Sequence, residues 1–341
     1  MTPAELEPLD ALLARHGLAA AAEEPFPNDG WSGAVMTRLR DGAGRSYVLK
    51  RDSLERDWIA QATADLALLR EAWFATRQPA LPWPARAPHL GAGMDRATSE
   101  VGILMPDLSD VLFDWTAALT EDQLERVLDA LAALHAHDWS AVIPAGSGHW
   151  TPWRERVTLI CRSSLEGAGP ARAAVADRLL PGWDAWDRQA SPAARSVGAA
   201  LSADPGPLLD ALARHRPTLL HGDLKLANAG IAADGAVELV DWQMVMIAPV
   251  AIELGWFLVS NVTALPLPPD DVLARYWRRR ADTARNVTAE TDLAILVGLL
   301  LRGWRKGADA EAGVVHASGV AAADDLTWWC ERVVEAADRV L

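Results

Sequence analysis

Apolar and polar residues alternate in several short stretches of the first third of the chain. "GAVMTRLR" and "SYVLKRD" flank the Gly-rich "DGAGR" at 41–45, which predicts two strands joined by a tight turn. "EVGILMPDL" at 100–108 predicts another strand, whose end at Pro106 begins a change of character. The N-terminal "MTPAELEPLDALLARHG" instead repeats at helical spacing and predicts an amphipathic helix closed by Gly17, and residues 53–78 also read as helical. Beyond Pro106 helical periods dominate. The clearest helix starts at Thr120, whose hydroxyl can cap it while Gln123 reaches back; Leu124, Val127, Leu128, Leu131 and Leu134 share one face. The longest apolar run, "AILVGLLL" at 294–301, is far short of the roughly 20 residues a membrane span needs and predicts a buried helix. A strand-rich first third and a helix-rich remainder indicate the α+β class, with a boundary near 107.

One alternating stretch carries chemistry. "LLHGDLKLANAGI" at 219–231 spaces His221, Asp223, Lys225 and Asn228 two, two and three residues apart. Asp234-Gly235 follows as a two-residue hairpin signal, and "VELVDWQ" at 237–243 returns. In a hairpin closed there, Ala233 faces Ala236, which places Asn228 opposite Asp241 on the same side of the sheet. An amide oxygen beside a carboxylate suits Mg2+, which takes few protein ligands and completes its shell with phosphate and water. Asp223 is placed to accept the proton of an attacking hydroxyl, and Lys225 to set a positive charge beside a transferring phosphoryl group. Together these residues describe phosphoryl transfer.

Composition narrows the partners. With 341 residues, half of them hydrophobic and 23% charged, the chain can build the core of a globular two-lobed protein. A net charge of −14 excludes the basic footprint of a nucleic-acid or anionic-membrane protein, and it admits a cationic substrate. Cys161 and Cys330 are too few for a disulfide framework, and acids stand where a signal peptide carries its basic region, so a cytoplasmic location is expected. His135 and His137, two apart on a helix, point in different directions and predict packing rather than metal ligation. Only Lys50, Lys225 and Lys306 occur among 32 basic residues, and two of them stand at motif positions, in "YVLK" and "HGDLKLAN"; Lys306 stands in none and is expected to be dispensable.

"HGDLKLAN" followed by "VELVDW" resembles the catalytic and metal-binding loops of the aminoglycoside phosphotransferase and choline kinase superfamily. That resemblance implies the protein-kinase-like two-lobed fold, with a small strand-rich nucleotide-binding lobe at 1–107 and a larger helical lobe for catalysis and substrate binding at 108–341. It implies ATP or GTP as donor and Mg2+ as metal. Asp223 would be the catalytic Asp, Asn228 and Asp241 would hold the metal, and His221 would brace the loop from behind. Lys50 in "YVLK" resembles the strand lysine that holds the nucleotide phosphates, positioned by a helix glutamate, Glu71 in preference to Glu55. "GILMPDL" resembles the hinge that carries the adenine, with Met105 lining it and backbone near Asp107 bonding it, and "LAALHAHDW" resembles a helix common in the family. The phosphate-covering loop would lie in "DGWSGAV", around Gly30, Ser32 and Gly33. Gln243 stands where many relatives carry an acid, which leaves the number of metal ions open.

The function expected from the sequence is therefore transfer of a phosphoryl group from ATP or GTP to a hydroxyl of a small molecule, foremost an amino sugar, aminoglycoside or similar metabolite. Trp150, Trp153, Trp183, Trp186, Trp277 and Trp304 offer rings for a sugar or a cation, though packing accounts for most of them. Trp256 and Glu253 follow the metal loop closely enough to border the pocket. The alternatives are a protein-kinase-like enzyme and a catalytically silent nucleotide binder. Against the former, Gly222 precedes Asp223 where many protein kinases carry Arg, and "WQMVMIA" after Asp241 offers no Ser, Thr or Tyr to phosphorylate. No nucleic-acid or membrane partner is expected, and the oligomeric state stays open.

Overall fold

A computed structural model describes residues 5–27, 30, 32–63, 67–77, 79–145, 148–280 and 286–341. The alternating stretches at the start of the chain form a sheet. β1 (Glu7–Pro8) runs into α1 (Leu9–Arg15), and β2 (Glu24–Pro25), β3 (Val35–Arg40) and β4 (Ser46–Asp52) follow. The helical reading of 53–78 is realised as α2 (Trp58–Ala62) and α3 (Ala67–Arg77), with 64–66 and 78 outside the described residues. β5 (Ala85–Arg86), β6 (Gly91–Asp95) and β7 (Glu100–Pro106) complete this part. Among the described residues the sheet has six strands in the order β1-β6-β7-β4-β3-β2. The N-terminal helix is shorter than its sequence pattern predicts, because Glu7 and Pro8 pair in parallel with Gly93 and Met94 instead of coiling.

Both faces of the sheet are covered, and strand alternation sorts the side chains. Leu49 and Leu104 pack with Leu9 and Leu12 of α1. Val48, Ile103 and Met105 pack on the other side with Leu69, Ala72 and Ala75 of α3. Lys50, two residues after Val48, therefore shares the face that looks at α3.

The rest of the chain is largely helical: α4 (Glu121–Ala136), α5 (Val142–Ala145), α6 (Trp153–Thr158), α7 (Arg162–Glu166), α8 (Ala173–Gln189), α9 (Pro192–Ala203) and α10 (Gly206–Ala213) precede the motif at 219–231. Thr120 and Gln123 make the reciprocal cap expected at the start of α4. β8 (Pro217–Leu220) enters the motif, β9 (Ala229–Ile231) and β10 (Val237–Leu239) form its hairpin, and β11 (Met246–Pro249) pairs back onto β8. α11 (Val250–Asn261), α12 (Pro269–Arg279), α13 (Val287–Glu311) and α14 (Ala322–Val340) finish the chain. α13 contains the apolar run 294–301, buried throughout against α8, α11 and α14. Among the described residues no helix is long and apolar enough to cross a membrane. The small strand-rich lobe and large helical lobe are the architecture the sequence predicts.

A second seam joins the lobes. β5, from the chain between α3 and β6, pairs in parallel with β10 through Ala85–Val237 and Arg86–Glu238. Arg86 adds ion pairs to Glu238 at 2.6 Å and Asp234 at 2.7 Å.

Candidate active site

The β9–β10 hairpin differs by one residue from its predicted register. Ile231 pairs with Val237, Gly230 with Glu238 and Ala229 with Leu239, so Asn228 lies opposite Val240, whose N–H it accepts at 3.0 Å, and not opposite Asp241. The cause is the turn. Gly235 N–H bonds Ala232 O at 2.9 Å, Ala236 O accepts from Ala232 N–H, and Gly235 takes φ +87°, which adds a bulge residue to the expected two-residue loop. Asp241 is brought in by another device: it adopts a left-handed conformation, φ 67° and ψ 59°, just past the end of β10. A non-glycine residue there is uncommon, and at this position it re-aims the carboxylate relative to the strand.

Asp241 Oδ1 receives Lys50 Nζ at 2.6 Å, and the same ammonium lies 2.7 Å from Glu71 Oε2. The partner of Lys50 is thus Glu71 of α3, and Glu55 makes no such pair. Glu71 Oε1 also meets His89 Nε2 and the Trp242 N–H, each at 3.3 Å, so one carboxylate ties the first lobe to the chain after Asp241. Burial opposes the Lys50 charge, but Asp241 and Glu71 outweigh it and raise its pKa. Burial likewise opposes the Glu71 charge, and Lys50 and His89 hold it below the usual carboxylate range.

The Asp223 loop is braced by buried groups on its inner side. Glu253, fully buried, accepts His221 N–H at 2.7 Å and Gly222 N–H at 2.8 Å and meets His135 Nε2 at 3.3 Å. Burial raises its pKa, yet the bond and charge of His135 overcome that and leave it lowered. The Asp223 N–H donates to His221 Nδ1 at 3.3 Å, so His221 Nε2 carries the proton it shares with Val240 O at 2.9 Å. His221 thereby joins the Asp223 loop to the strand that leads to Asp241. Asn261, at the end of α11, receives Leu226 N–H at 2.8 Å and donates to Leu224 O at 3.3 Å. Gly222 is held at φ +84° with its α-carbon against the chain: a β-carbon there would meet Met244 O at 2.0 Å.

Within the loop Lys225 Nζ is 3.3 Å from Asp223 Oδ2, and Asn228 Nδ2 donates to Asp223 O at 2.9 Å. The amide nitrogen of Asn228 is thus committed, which orients the side chain and leaves its oxygen the atom available to a ligand. Ser32 is buried and Gly33 has φ +99° in the loop before β3; Asp29 and Trp31 of that stretch lie outside the described residues. Met105 is buried in β7, opposite Val48, and the Asp107 N–H is committed to Ser46 O at 3.1 Å. Gln243 is buried after Asp241.

Several readings change. Glu253 does not border a pocket but stands behind the loop. Trp183, Trp186, Trp277 and Trp304 are buried, and Trp150 stands edge-on to Trp73 at 5.0 Å, leaving little for a ligand to stack on. Lys306 is no surface charge: it is 3% exposed, pairs with Asp325 at 2.7 Å and lies over the Trp329 ring. His135 packs, as its spacing predicts, and bonds Tyr276 Oη at 2.8 Å. The sequence gives no sign of Asn261, His89, Arg156 or Arg302; Arg156 falls in the stretch 142–217, which carries no motif.

The family model described as the phosphotransferase enzyme family matches residues 24–290. Among solved structures, an amicoumacin kinase in complex with AMP-PNP and Ca2+ is similar at a TM-score of 0.50 and 12% identity, over 95% of this chain and 92% of that one. An ethanolamine kinase of Plasmodium vivax is similar at a TM-score of 0.48 and 8% identity, over 96% and 86%. A macrolide 2′-phosphotransferase from Brachybacterium faecium reaches 0.40 and 21%, over 95% and 97%. No curated protein matches the sequence. At such identities the structural likeness bears on the fold alone.

Proposed function

The chain belongs to the phosphotransferase enzyme family, and from that premise we propose that it moves the γ-phosphoryl group of ATP to a hydroxyl of a small molecule, with Mg2+ as the metal. The observation that carries this reading is the meeting of Lys50, from the strand-rich lobe, with Asp241, from the chain that follows the Asp223 loop, at 2.6 Å. Residues 1–107 would bind the nucleotide and 108–341 the acceptor. GTP is the alternative donor.

The residues present fit a divalent metal. The Asp241 carboxylate is a quarter exposed, and the Asn228 amide is oriented by its bond to Asp223 O so that oxygen, not nitrogen, is free. When bound, the metal neutralises phosphate charge. The remaining work falls to the chain. Lys50, fixed by Glu71, orients the nucleotide phosphates; Met105 lines the base. Asp223 accepts the proton of the acceptor hydroxyl as the oxygen attacks, and Lys225 balances charge on the transferring group. His221, Glu253 and Asn261 keep Asp223 in position from behind.

An amino sugar or aminoglycoside, which the overall acidity admits, would find Arg156 and Arg302 near Asp223, and that local charge favours another acceptor. The protein-kinase alternative loses its switch, because an arginine at position 222 has no room beside Met244 O. Two measurements test the reading: ADP release with a panel of hydroxylated small molecules, and calorimetric binding of Mg·ATP. Asp223→Asn should abolish turnover with nucleotide affinity kept within a few-fold, whereas Asp241→Ala should lose metal-dependent nucleotide binding. Normal kcat in the first or normal Mg·ATP binding in the second would refute the roles.

A further inference from the structure

Beside the Asp223 loop, two arginines lie against one tryptophan ring, and each of the three side chains has a buried nitrogen donor without an acceptor. Arg156 of α6 is 3% exposed; its guanidinium lies 4.4 Å from the centre of the Trp256 ring and reaches only Gly222 O, at 3.4 Å. Arg302 approaches the same ring at 5.5 Å and also stands 5.5 Å from the Trp304 ring. The Nε atoms of Arg156 and Arg302 and the indole nitrogen of Trp256 are buried with no hydrogen-bond partner. Among the described residues neither arginine meets a carboxylate at ion-pair distance. Asp309, an acid of α13 whose charge acts on Arg302, is taken by Arg305 at 2.7 Å, and Asp223 itself is engaged by Lys225. Arg302 is also the one residue inside α13 whose backbone leaves helical geometry, at φ −144° and ψ 20°, so the helix is broken where this side chain departs.

A chain with net charge −14 has acids to spare, yet leaves these two guanidiniums unpaired. Burying a charge without a partner is unfavourable, and burial lowers the pKa of both, to about 10 for Arg302. The carboxylate that acts on both is Asp223. The pair belongs to the acceptor side: α6 packs on α13 and β11, whereas the cation near Asp241 is Lys50 of the other lobe. Resting on the phosphotransfer reading above, we propose that Arg156 and Arg302, set against the Trp256 ring, bind an anionic oxygen group of the acceptor. The substrate is then a hydroxylated small molecule bearing a carboxylate or a phosphate ester, and a polycationic sugar is repelled. Arg over an aromatic face presents a planar fork suited to either group.

The test compares D-gluconate and D-glycerate, glucose 6-phosphate, glucose, glucosamine and an aminoglycoside as acceptors, by ADP release and by thermal shift with Mg2+ and a non-hydrolysable ATP analogue. Turnover or stabilisation is expected with the anionic members, sugar acids and sugar phosphates forming separate arms. Arg302→Met should raise KM for the anionic acceptor by about tenfold or more, with Arg302→Lys recovering part of it. Arg154→Met, on an exposed residue of the same helix as Arg156, should leave that KM unchanged. Arg302 is half-buried, so its variants serve even where Arg156→Met fails to fold. Turnover of neutral or cationic acceptors with none of the anionic ones, or unchanged KM in Arg302→Met, overturns this inference and leaves phosphotransfer standing. No turnover and no stabilisation with any acceptor overturns both.

Discussion

Glu253 holds Gly222 by its backbone: the buried carboxylate accepts that N–H at 2.8 Å and the preceding His221 N–H at 2.7 Å. Glu253→Gln would turn a donor toward one of these N–H groups. A loss of about 2–4 kcal/mol in urea denaturation is expected. kcat should fall by at least about tenfold from misplacement of Asp223. Full stability with full activity would mean that the loop is held by other contacts.

Gly222→Ala tests the close approach to Met244 O. The left-handed backbone and the 2.0 Å overlap together predict a destabilisation of more than about 2 kcal/mol, read as a drop in Tm. Because no arginine fits there to receive a phosphate, treatment of purified enzyme with a phosphatase should leave kcat unchanged; a loss restored by phosphorylation at a mapped site would contradict this.

Lys50 and Lys306 are both buried, and their substitution should separate activity from stability. Lys50→Met should raise KM for ATP and lower kcat by about a hundredfold or more. Lys306→Met leaves the buried Asp325 with only His316, at 3.8 Å, beside it and should cost about 3–5 kcal/mol, yet leave KM for ATP unchanged in the cold. Urea melts and nucleotide kinetics on the same preparations decide between these patterns.

Asp52 gives a pH dependence. Burial and the neighbouring Asp57 raise its pKa to about 7, and the Asp52 Oδ2 and Asp57 Oδ2 atoms have no hydrogen-bond partner. An acid with a raised folded-state pKa binds more protons folded than unfolded, so its contribution falls as pH climbs from about 4 to about 7. Asp52→Asn should remove that slope, bounded at roughly 1.4 kcal/mol per pH unit. The variant should gain relative stability as pH rises through this window. Parallel denaturation curves at pH 5 and pH 8 for both proteins would refute it.

Local periodicity made much of this fold legible. The strands around Lys50 alternate cleanly, and Thr120 with Gln123 marks a helix start without outside help. The hairpin was less readable, because Asp234-Gly235 serves both a two-residue turn and a bulged one, and only the packing of the finished sheet chooses. Asp241 shows why a register argument fails at a site: a left-handed residue beyond the strand end is placed by its surroundings. Arg156 and Arg302 come together only through the crossing of α6, α11 and α13, and nothing near either in sequence announces the other. Lys306 misled for a similar reason, since its partner Asp325 belongs to a different helix.

The β5–β10 ladder makes the two-lobed body a hinge with two pins. The chain crosses between the lobes after Pro106, and Ala85–Arg86 is stitched to Val237–Glu238 at a separate point. Opening by free swivel about a single linker would break that ladder and the Arg86 ion pairs. The motion that spares both is a rotation about the line joining them, a mouth that opens along one axis and closes in one alignment.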